Sequence, residues 1–298
     1  MARGRTERVL VGRFDGDDDG LRRQPDELIV EEPMEIHLDG VLVNTTTMRT
    51  PGHDFELAAG FCHTEGLLAG ATVRTCRYCS TGSAVDRAQR GRAGRASASE
   101  PHGDGVRGRS PRASIDGEFN IVAVETGGEA PLPVPRLGVT TSACGICGST
   151  AVDDLRERLH PLPPAEPWDL RLLAAIPARL EDEQALFART GGVHAAAAFD
   201  RRGAPVVVRE DIGRHNAVDK VVGRLLLDER LPAPDLGLYV SGRASFEIVQ
   251  KAWAAGMTVV VAVSAPSSLA VAAARLAGMT LCGFVRSGHL NIYSGTAG

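Results

Sequence analysis

This sequence of 298 residues lacks several motifs that indicate widespread classes of protein function. It contains no G-x-x-x-x-G-K-S/T and no G-x-G-x-x-G segment, which argues against a standard nucleotide-triphosphate or dinucleotide loop. The start of the chain, MARGRTERVLVGRFDGDDDG, lacks the apolar run and the small-residue cleavage site of a signal peptide. The most apolar C-terminal stretch, TVVVAVSAP, is far too short to span a bilayer. We therefore expect a cytoplasmic protein that does not enter a membrane.

An excess of positive charge is also absent, because the formal net charge is −4. This charge gives no general attraction to nucleic acid or to an anionic membrane, and neither is expected as a partner. Aromatic residues are scarce at 4%, but the hydrophobic content of 43% is that of a globular protein. The length is sufficient for one large or two ordinary domains.

Changes in composition divide the chain into four parts. Residues 1–26 are charged and predict a flexible leader. Residues 27–142 predict a smaller β-rich domain, interrupted at 80–115 by an Arg/Gly/Ser-rich insertion with too few large apolar residues to become ordered. Residues 143–168 hold a cysteine loop, a helix and a Pro-rich linker. Residues 169–298 form the last part, a predicted C-terminal α/β domain.

The first clear local pattern is the segment MEIHLDGVLVNTTTMRT, which predicts two strands joined by a turn at Asp39-Gly40. The following segment, HDFELAAGFCHTEGLL, places Phe55, Ala58 and Cys62 on one face of a helix. Asp54 is a suitable cap for the start of that helix.

From Asp169 onward, strand patterns alternate with helical patterns. The strands are VHAAAAFD, PVVVRED, LGLYVSG, TVVVAVSAP, TLCGFVRSG and LNIYSG, and the helices between them include RHNAVDKVVGRLLLD, SFEIVQKAWAAG and SLAVAAARLAG. Such alternation predicts an α/β layered domain with a mainly parallel or mixed sheet. With the β-rich part before it, the whole chain is expected to be α+β.

Four of the six cysteines form two pairs with C-x-x-C spacing, Cys76/Cys79 and Cys144/Cys147. A disulfide framework is not expected in a cytosolic chain of this size, so the pairs suggest metal or thiol chemistry. Cys144 and Cys147 are each followed by glycine, and a helix is predicted to begin near Thr150. The positive end of that helix would favour thiolate over thiol, and the thiolate is the nucleophile.

Two alternatives stay open for these cysteines. The two pairs together could form a four-thiolate zinc site. The gap between the pairs, residues 80–143, is longer than the ~15–20 residues of a compact zinc ribbon, but closing a long loop costs little more than closing a short one. Spacing therefore neither supports nor excludes zinc. A thioredoxin-like oxidoreductase fits less well, because its pair follows an early strand and this one follows a Pro-rich connection.

Polar residues cluster at the predicted strand-to-helix junctions. The first cluster comprises His194, Arg209, Glu210, Asp211, Arg214, His215, Asn216, Asp219 and Lys220. Junctions of this kind are where α/β sheets form ligand sites, although capping and a solvated helix face explain such residues equally well. The segments SGRASFEIVQK and SAPSSLAV also run from strand to helix, where free backbone N–H groups suit phosphate, and GFVRSGH adds Arg286. Together these segments predict a phosphate-bearing ligand at one rim of the sheet.

Six segments in the same order resemble the motifs of the FdhD/NarQ family, the sulfur carrier proteins required for formate dehydrogenase activity. They are MRTPGHDFELAAGFCHTEGLL, TTSACGICGS, TGGVHAAAAFD, REDIGRHNAVDK, SGRASFEIVQKA and SAPSSLAVA. The resemblance extends from about Glu27 to the C-terminus and leaves out the Arg-rich insertion. It implies homodimers whose C-terminal domain is similar to the cytidine-deaminase fold.

The resemblance implies a sulfurtransferase without a permanent cofactor or metal. Members accept sulfur from a cysteine desulfurase as a persulfide and pass it to the molybdenum cofactor, bis(molybdopterin guanine dinucleotide), before its insertion into formate dehydrogenase. The persulfide carrier corresponds to Cys144 and the accessory thiol to Cys147. The cofactor contact corresponds to Phe284, Val285, Arg286, Ser287, Gly288 and His289. Arg286 is then expected to hold phosphates, with Arg243 and Lys251 as further candidates.

Two features of the sequence limit what the resemblance implies. The segment His194-Ala195-Ala196 lacks the glutamate of a deaminase H-x-E motif, and Ala143 stands where P-C-x-x-C has proline, so deamination is not expected. Cys76 and Cys79 have no counterpart in the family pattern. The alternative from another class is a zinc-stabilised module that binds the cofactor and chaperones the apo-enzyme without covalent sulfur transfer.

Overall fold

The computed structural model of the protein describes residues 4–14, 16, 20–79, 120–132, 155 and 158–295. The strands are β1 Thr6–Arg13, β2 Arg22–Ile29, β3 Glu32–Leu38, β4 Val41–Arg49, β5 Thr75–Tyr78, β6 Ile121–Glu125, β7 His194–Phe199, β8 Pro205–Asp211, β9 Gly237–Val240, β10 Val259–Ala262, β11 Thr280–Arg286 and β12 His289–Ser294. The helices are α1 Asp54–Thr64, α2 Leu170–Arg179, α3 Ala185–Thr190, α4 Arg214–Leu227, α5 Phe246–Ala254 and α6 Ser268–Ala277.

The C-terminal part is a layered α/β unit around a mixed sheet, as the alternating patterns predicted. The strand order is β12-β11-β10-β9-β7-β8, with β9, β10 and β11 parallel to one another and the remaining pairings antiparallel. The strands β9 and β10 read GLYV and VVVA and are buried along their whole length, which is typical of central parallel strands. Side chains of α4, α5 and α6 pack on one face of the sheet, and α2 packs on the other.

The N-terminal part contains a second mixed sheet, with the strand order β4-β3-β6-β5. The predicted hairpin is confirmed: β3 and β4 are antiparallel and turn at Asp39 and Gly40, both of which have positive φ. The predicted helix is α1, but its N-cap is His53. Asp54 is the first helical residue, and its carboxylate binds the Arg49 guanidinium at 2.8 Å. The insertion 80–115 lies outside the described residues, so its predicted disorder stays a prediction.

The prediction of a flexible leader is wrong. Within residues 1–26, β1 and most of β2 form an antiparallel hairpin in continuous register. The hairpin is held at its base by Glu27, which accepts hydrogen bonds from Thr6 (2.6 Å) and from Arg189 of α3 (3.1 Å). Those partners are far away in the sequence, and the polar composition of the strands gave no sign of them.

The two parts of the chain are joined by a close crossing of α1 and α4. A Cβ at Gly60 would lie 1.9 Å from the backbone oxygen of Asp219, and a Cβ at Gly223 would lie 1.7 Å from that of Glu56. Both distances are far below van der Waals contact, so only glycine permits this approach of the two helix backbones.

Candidate functional site

Three helices begin at one edge of the C-terminal sheet. The strands β9, β10 and β11 are parallel, so their carboxyl ends meet at this edge. Antiparallel pairing brings His194, the first residue of β7, opposite Asp211, the last residue of β8, at the same edge. The helices α4, α5 and α6 begin there. We call this edge the rim, defined by residues 194, 211–215, 241–247, 263–268 and 284–289.

The predicted cofactor contact, Phe284–His289, forms the turn between β11 and β12 at the rim. Phe284, Ser287 and Gly288 have φ values of 52°, 50° and 76°. The Phe284 amide donates to the carbonyl oxygen of Ser264 at the end of β10 (3.2 Å), so the turn is tied to the neighbouring strand. The Val285 side chain is fully buried and can contribute only its backbone to a ligand.

A cavity of about 490 Å³ opens at this turn, lined by Phe284, Arg286, Ser287, His289, Leu290 and Asn291. The Phe284 side chain is 39% exposed, and Arg286 and His289 are also exposed. An exposed aromatic face can stack on a planar base, and a guanidinium can bind phosphate through two parallel hydrogen bonds. Leu290 and Asn291 were missed at the sequence level, where only their place next to GFVRSGH could have indicated them.

The middle of the rim carries histidines. His215 Nε2 lies 2.7 Å from Glu247 Oε2 and 3.2 Å from Ser245 Oγ. The hydrogen bond from His215 holds the pKa of the Glu247 carboxyl below its usual range. Burial lowers the pKa of His194, and the neighbouring Arg214 and His215 lower it further.

The serines at the helix starts differ from one another. Ser267 is an ordinary N-cap of α6, since its Oγ accepts a hydrogen bond from the Ala270 amide (3.1 Å). Ser245, the N-cap of α5, makes no side-chain capping bond. Arg243 is exposed in the loop between β9 and α5, where it can meet a ligand at the rim.

Most of the polar cluster predicted around α4 serves internal contacts. Lys220 Nζ lies 2.6 Å from Asp211 Oδ2, and both side chains are fully buried. The pair binds the segment after β4: Lys220 donates to the Thr50 carbonyl (2.9 Å), and Asp211 accepts from the Thr50 amide (3.1 Å). Asn216 donates to the Met48 carbonyl at 2.8 Å. These residues therefore connect the two halves of the chain.

The other charged members of that cluster also have protein partners. Arg209 binds Glu56 of α1 through two nitrogens, at 2.5 and 2.8 Å. Glu210 accepts hydrogen bonds from the Leu186 and Phe187 amides at the start of α3. His194, Arg214 and His215 are the members that face the rim.

The expectation that Lys251 holds phosphates is wrong. Its Nζ lies in the interior, 2.9 Å from Asp219 Oδ1 and 3.0 Å from Thr64 Oγ1. Burial alone would lower the pKa of Lys251, but Asp219 and Glu65 outweigh it and raise the pKa. The ammonium group is thus fixed as a charged link between α5 and α1.

Cys144, the predicted sulfur carrier, and Cys147, the predicted accessory thiol, lie outside the described residues. The chain beyond them is anchored at Leu155, which is buried in the core, and at Arg158. Arg158 donates to the Glu65 carbonyl (2.9 Å) at the end of α1.

Three of the four described cysteines, Cys62, Cys76 and Cys282, offer no activated thiolate. Burial raises the pKa of Cys76 to about 11 and that of Cys282 to about 12, and it also raises the pKa of Cys62. Cys79 Sγ lies 3.6 Å from Arg77 Nη1. Within the described ranges, no three His, Cys, Asp or Glu side chains are grouped so that they could hold a metal ion.

Comparison with known proteins gives consistent matches over almost the whole chain. The model of the FdhD/NarQ family matches residues 29–297. The sulfur carrier protein FdhD of Anaeromyxobacter dehalogenans (strain 2CP-1 / ATCC BAA-258) is 46% identical over 277 residues, which cover 90% of this chain and 87% of the relative. The protein of the same name from Nocardia farcinica (strain IFM 10152) is 45% identical over 279 residues, covering 92% and 88%.

A solved structure shares the fold. The crystal structure of a putative formate dehydrogenase accessory protein from Desulfotalea psychrophila superposes with a TM-score of 0.70 at 20% sequence identity, covering 98% of each chain. None of the helices in the described part of our chain is both long and apolar enough to cross a bilayer.

Proposed function

The chain belongs to the FdhD/NarQ family, and from this membership we propose that it is a sulfur carrier acting in the maturation of formate dehydrogenase. Its relatives carry the name sulfur carrier protein FdhD over about nine-tenths of this chain. The molybdenum cofactor, bis(molybdopterin guanine dinucleotide), is the substrate in this proposal.

Sulfur transfer begins at Cys144. Its thiolate attacks the outer sulfur of a persulfide on a cysteine desulfurase. The sulfur–sulfur bond of the donor breaks, and the desulfurase cysteine leaves as a thiolate. Cys144 then holds the sulfur as a persulfide. When the outer sulfur passes to the molybdenum centre of the substrate, the sulfur–sulfur bond breaks, Cys144 leaves as a thiolate, and the molybdenum substrate supplies the two electrons that reduce the sulfur to sulfide. Cys147 acts as the accessory thiol.

The turn Phe284–His289 is the observation that carries the cofactor-binding part. It combines an exposed aromatic ring, two basic side chains and a cavity at the carboxyl edge of a largely parallel sheet, where α/β folds bind ligands. Phe284 suits stacking on the guanine base, and Arg286 suits the diphosphate. The neighbouring His289 adds a second group that can donate a hydrogen bond to phosphate.

The protein is proposed to act as a cytoplasmic homodimer with two protein partners, a cysteine desulfurase and formate dehydrogenase. Light scattering of the purified protein should give twice the mass of one chain. Pull-down with each partner, before and after sulfur loading, measures the two interactions.

Mass spectrometry tests the carrier step directly. After incubation with a desulfurase and cysteine, the peptide that holds Cys144 should gain the mass of one sulfur atom. Cys144→Ala should remove this gain and abolish formate dehydrogenase maturation. The matched control Cys79→Ala, which changes a thiol outside the family pattern, should keep both. A wild-type protein that never gains sulfur contradicts the proposal.

Metal analysis tests the alternative, a zinc-stabilised chaperone without covalent chemistry. Stoichiometric zinc that is lost in a Cys79→Ala/Cys147→Ala double variant would favour that alternative. A sulfur carrier instead gains sulfur whether or not zinc is supplied.

A further inference from the structure

Three basic side chains converge on the rim, away from the turn Phe284–His289. They are His194 at the start of β7 and Arg214 and His215 at the start of α4. Gly242, after β9, leaves the space between them open. A Cβ at this position would lie 3.4 Å from His194 Nδ1 and 4.0 Å from Arg214 Cδ.

Arg214 lacks a partner in the described part of the chain. Its Nε is buried from water and makes no hydrogen bond, and the rest of the guanidinium has neither a hydrogen bond nor an ion pair there. Arg209, by contrast, binds the Glu56 carboxylate through two nitrogens. Buried donors in folded proteins are nearly always paired, so the unpaired Nε of Arg214 indicates a missing acceptor.

The acidic groups nearby are already engaged. Asp211 is bound to Lys220 at 2.6 Å, and Glu247 is bound to His215 at 2.7 Å. Glu247 interacts with the charge of Arg214, and Asp211 with that of His194, but neither Arg214 nor His194 forms a hydrogen bond or ion pair with a carboxylate in the described part of the chain. Burial is the main cause of the lowered pKa of His194; the positive charges of Arg214 and His215 lower it further, and Asp211 opposes them.

Two helix starts add to the attraction for an anion. The N-caps of α4 and α5 are Gly213 and Ser245, and neither makes a side-chain capping hydrogen bond. The first backbone N–H groups of both helices are therefore free of side-chain caps and carry the positive end of the helix dipole. Such groups bind phosphate well when a guanidinium stands beside them.

We propose that His194, Arg214 and the starts of α4 and α5 form a phosphate-binding site that is distinct from the turn Phe284–His289. The ligand is the phosphate group of a small phosphorylated molecule. A cavity of about 530 Å³ that is also lined by His194 extends from the rim past Ser241 and Tyr239 to Phe187 and receives the organic part of this molecule. The site does not depend on sulfur transfer.

Proton–carbon NMR of the histidine rings tests the site in the full-length protein. Inorganic phosphate added at pH 7.5 and low salt should give saturable shifts of the His194 and His215 signals, assigned from His194→Asn and His215→Asn. Arg214→Gln should weaken this binding at least tenfold, because a charge-assisted pair of hydrogen bonds is lost.

Two matched arginine variants locate the phosphate. Arg230→Gln changes an exposed arginine away from the rim and should leave the affinity unchanged. Arg286→Gln removes the phosphate contact proposed at the turn but should leave the phosphate-induced shifts of the His194 and His215 signals unchanged, which separates the two sites. Circular dichroism and thermal melting in the absence of phosphate, both compared with wild type, verify that Arg214→Gln is folded. The proposal is overturned if phosphate gives no saturable shift, or if Arg214→Gln binds as tightly as wild type.

Phenyl phosphate distinguishes free phosphate from a phosphorylated organic ligand. If the cavity receives the organic part, phenyl phosphate should bind more tightly than inorganic phosphate, and Phe187→Ala should remove that difference while keeping phosphate binding. Equal affinity for the two probes would overturn the role of the cavity and identify free phosphate as the ligand.

Discussion

Lys220→Met tests how far the buried ion pair holds the two halves of the protein together. Lys220 and Asp211 are fully buried, 2.6 Å apart, and both bind the backbone of Thr50 on the other side of the interface. Removing the lysine leaves a buried carboxylate without its counter-charge. Breaking a buried pair in this way costs about 3–5 kcal/mol, which shifts the unfolding equilibrium by roughly two to four powers of ten.

Urea denaturation measures this change, and a double-mutant cycle assigns it to the pair. Asp211→Asn should also destabilise the fold, but Lys220→Met/Asp211→Asn should lose about 1–3 kcal/mol less than the sum of the single variants, because the two groups interact directly. Arg202→Met, which removes an exposed cation of similar length, should change the free energy of unfolding by less than about 0.5 kcal/mol.

The rate of chemical labelling of Lys251 provides a second measurement. The sequence contains only two lysines, Lys220 and Lys251, and both side chains are buried. In Lys220→Met, an amine-reactive reagent can label Lys251 only when the interface opens. The labelling rate of Lys251 should therefore be higher in this variant than in Arg202→Met. A Lys220→Met protein with wild-type stability and no increase in labelling would refute the reasoning.

Three further predictions follow from the interface and the rim. Gly60→Ala should destabilise the protein by about 1–3 kcal/mol or more in urea denaturation, because the new methyl group overlaps the backbone of α4, whereas Gly20→Ala, in open space, should have little effect. Burial would raise the pKa of Glu56, but hydrogen bonds from Arg209 and His53 outweigh it and lower the pKa to about 2. The resulting stability is present above the unfolded pKa near 4.5 and is lost as the pH falls toward 2, so the melting temperature of wild type should fall more steeply over this range than that of Glu56→Gln. Phe284→Ala should weaken binding of guanosine diphosphate about tenfold in calorimetry, since stacking on one base is worth about 1–3 kcal/mol, and unchanged affinity would exclude the ring as the stacking platform.

Local sequence patterns were sufficient to predict those elements whose structure depends on residues close together in the chain. The β3–β4 hairpin follows from alternating apolar residues around Asp39-Gly40, and the central strands follow from short apolar runs. The hairpin of β1 and β2 was missed because its strands are polar, and its base is held by Arg189, which is 162 positions from Glu27 in the chain.

The candidate site likewise contains residues that the sequence identified and residues whose role only the structure reveals. The turn Phe284–His289 was identified by its resemblance to a family motif, and the rim was predicted from the order of strands and helices. Lys251 was considered a ligand contact because it belongs to the segment SGRASFEIVQK, which was predicted to run from a strand into a helix at the rim. Its partner Thr64 is 187 positions away, so only the packing of α1 against α5 reveals its role.

The family, the alternation of strands and helices, and the proposed sulfur carrier Cys144 could all be predicted from the sequence, because each depends on short segments of the chain. Tertiary structure alone decided which charged residues are buried and which face the rim. Lys220 and Lys251 are buried beside the carboxylates of Asp211 and Asp219, at 2.6 and 2.9 Å, while Arg214 at the rim has no such partner among the described residues. The charge of a side chain is a property of the sequence, but the charges that surround it are set by the fold.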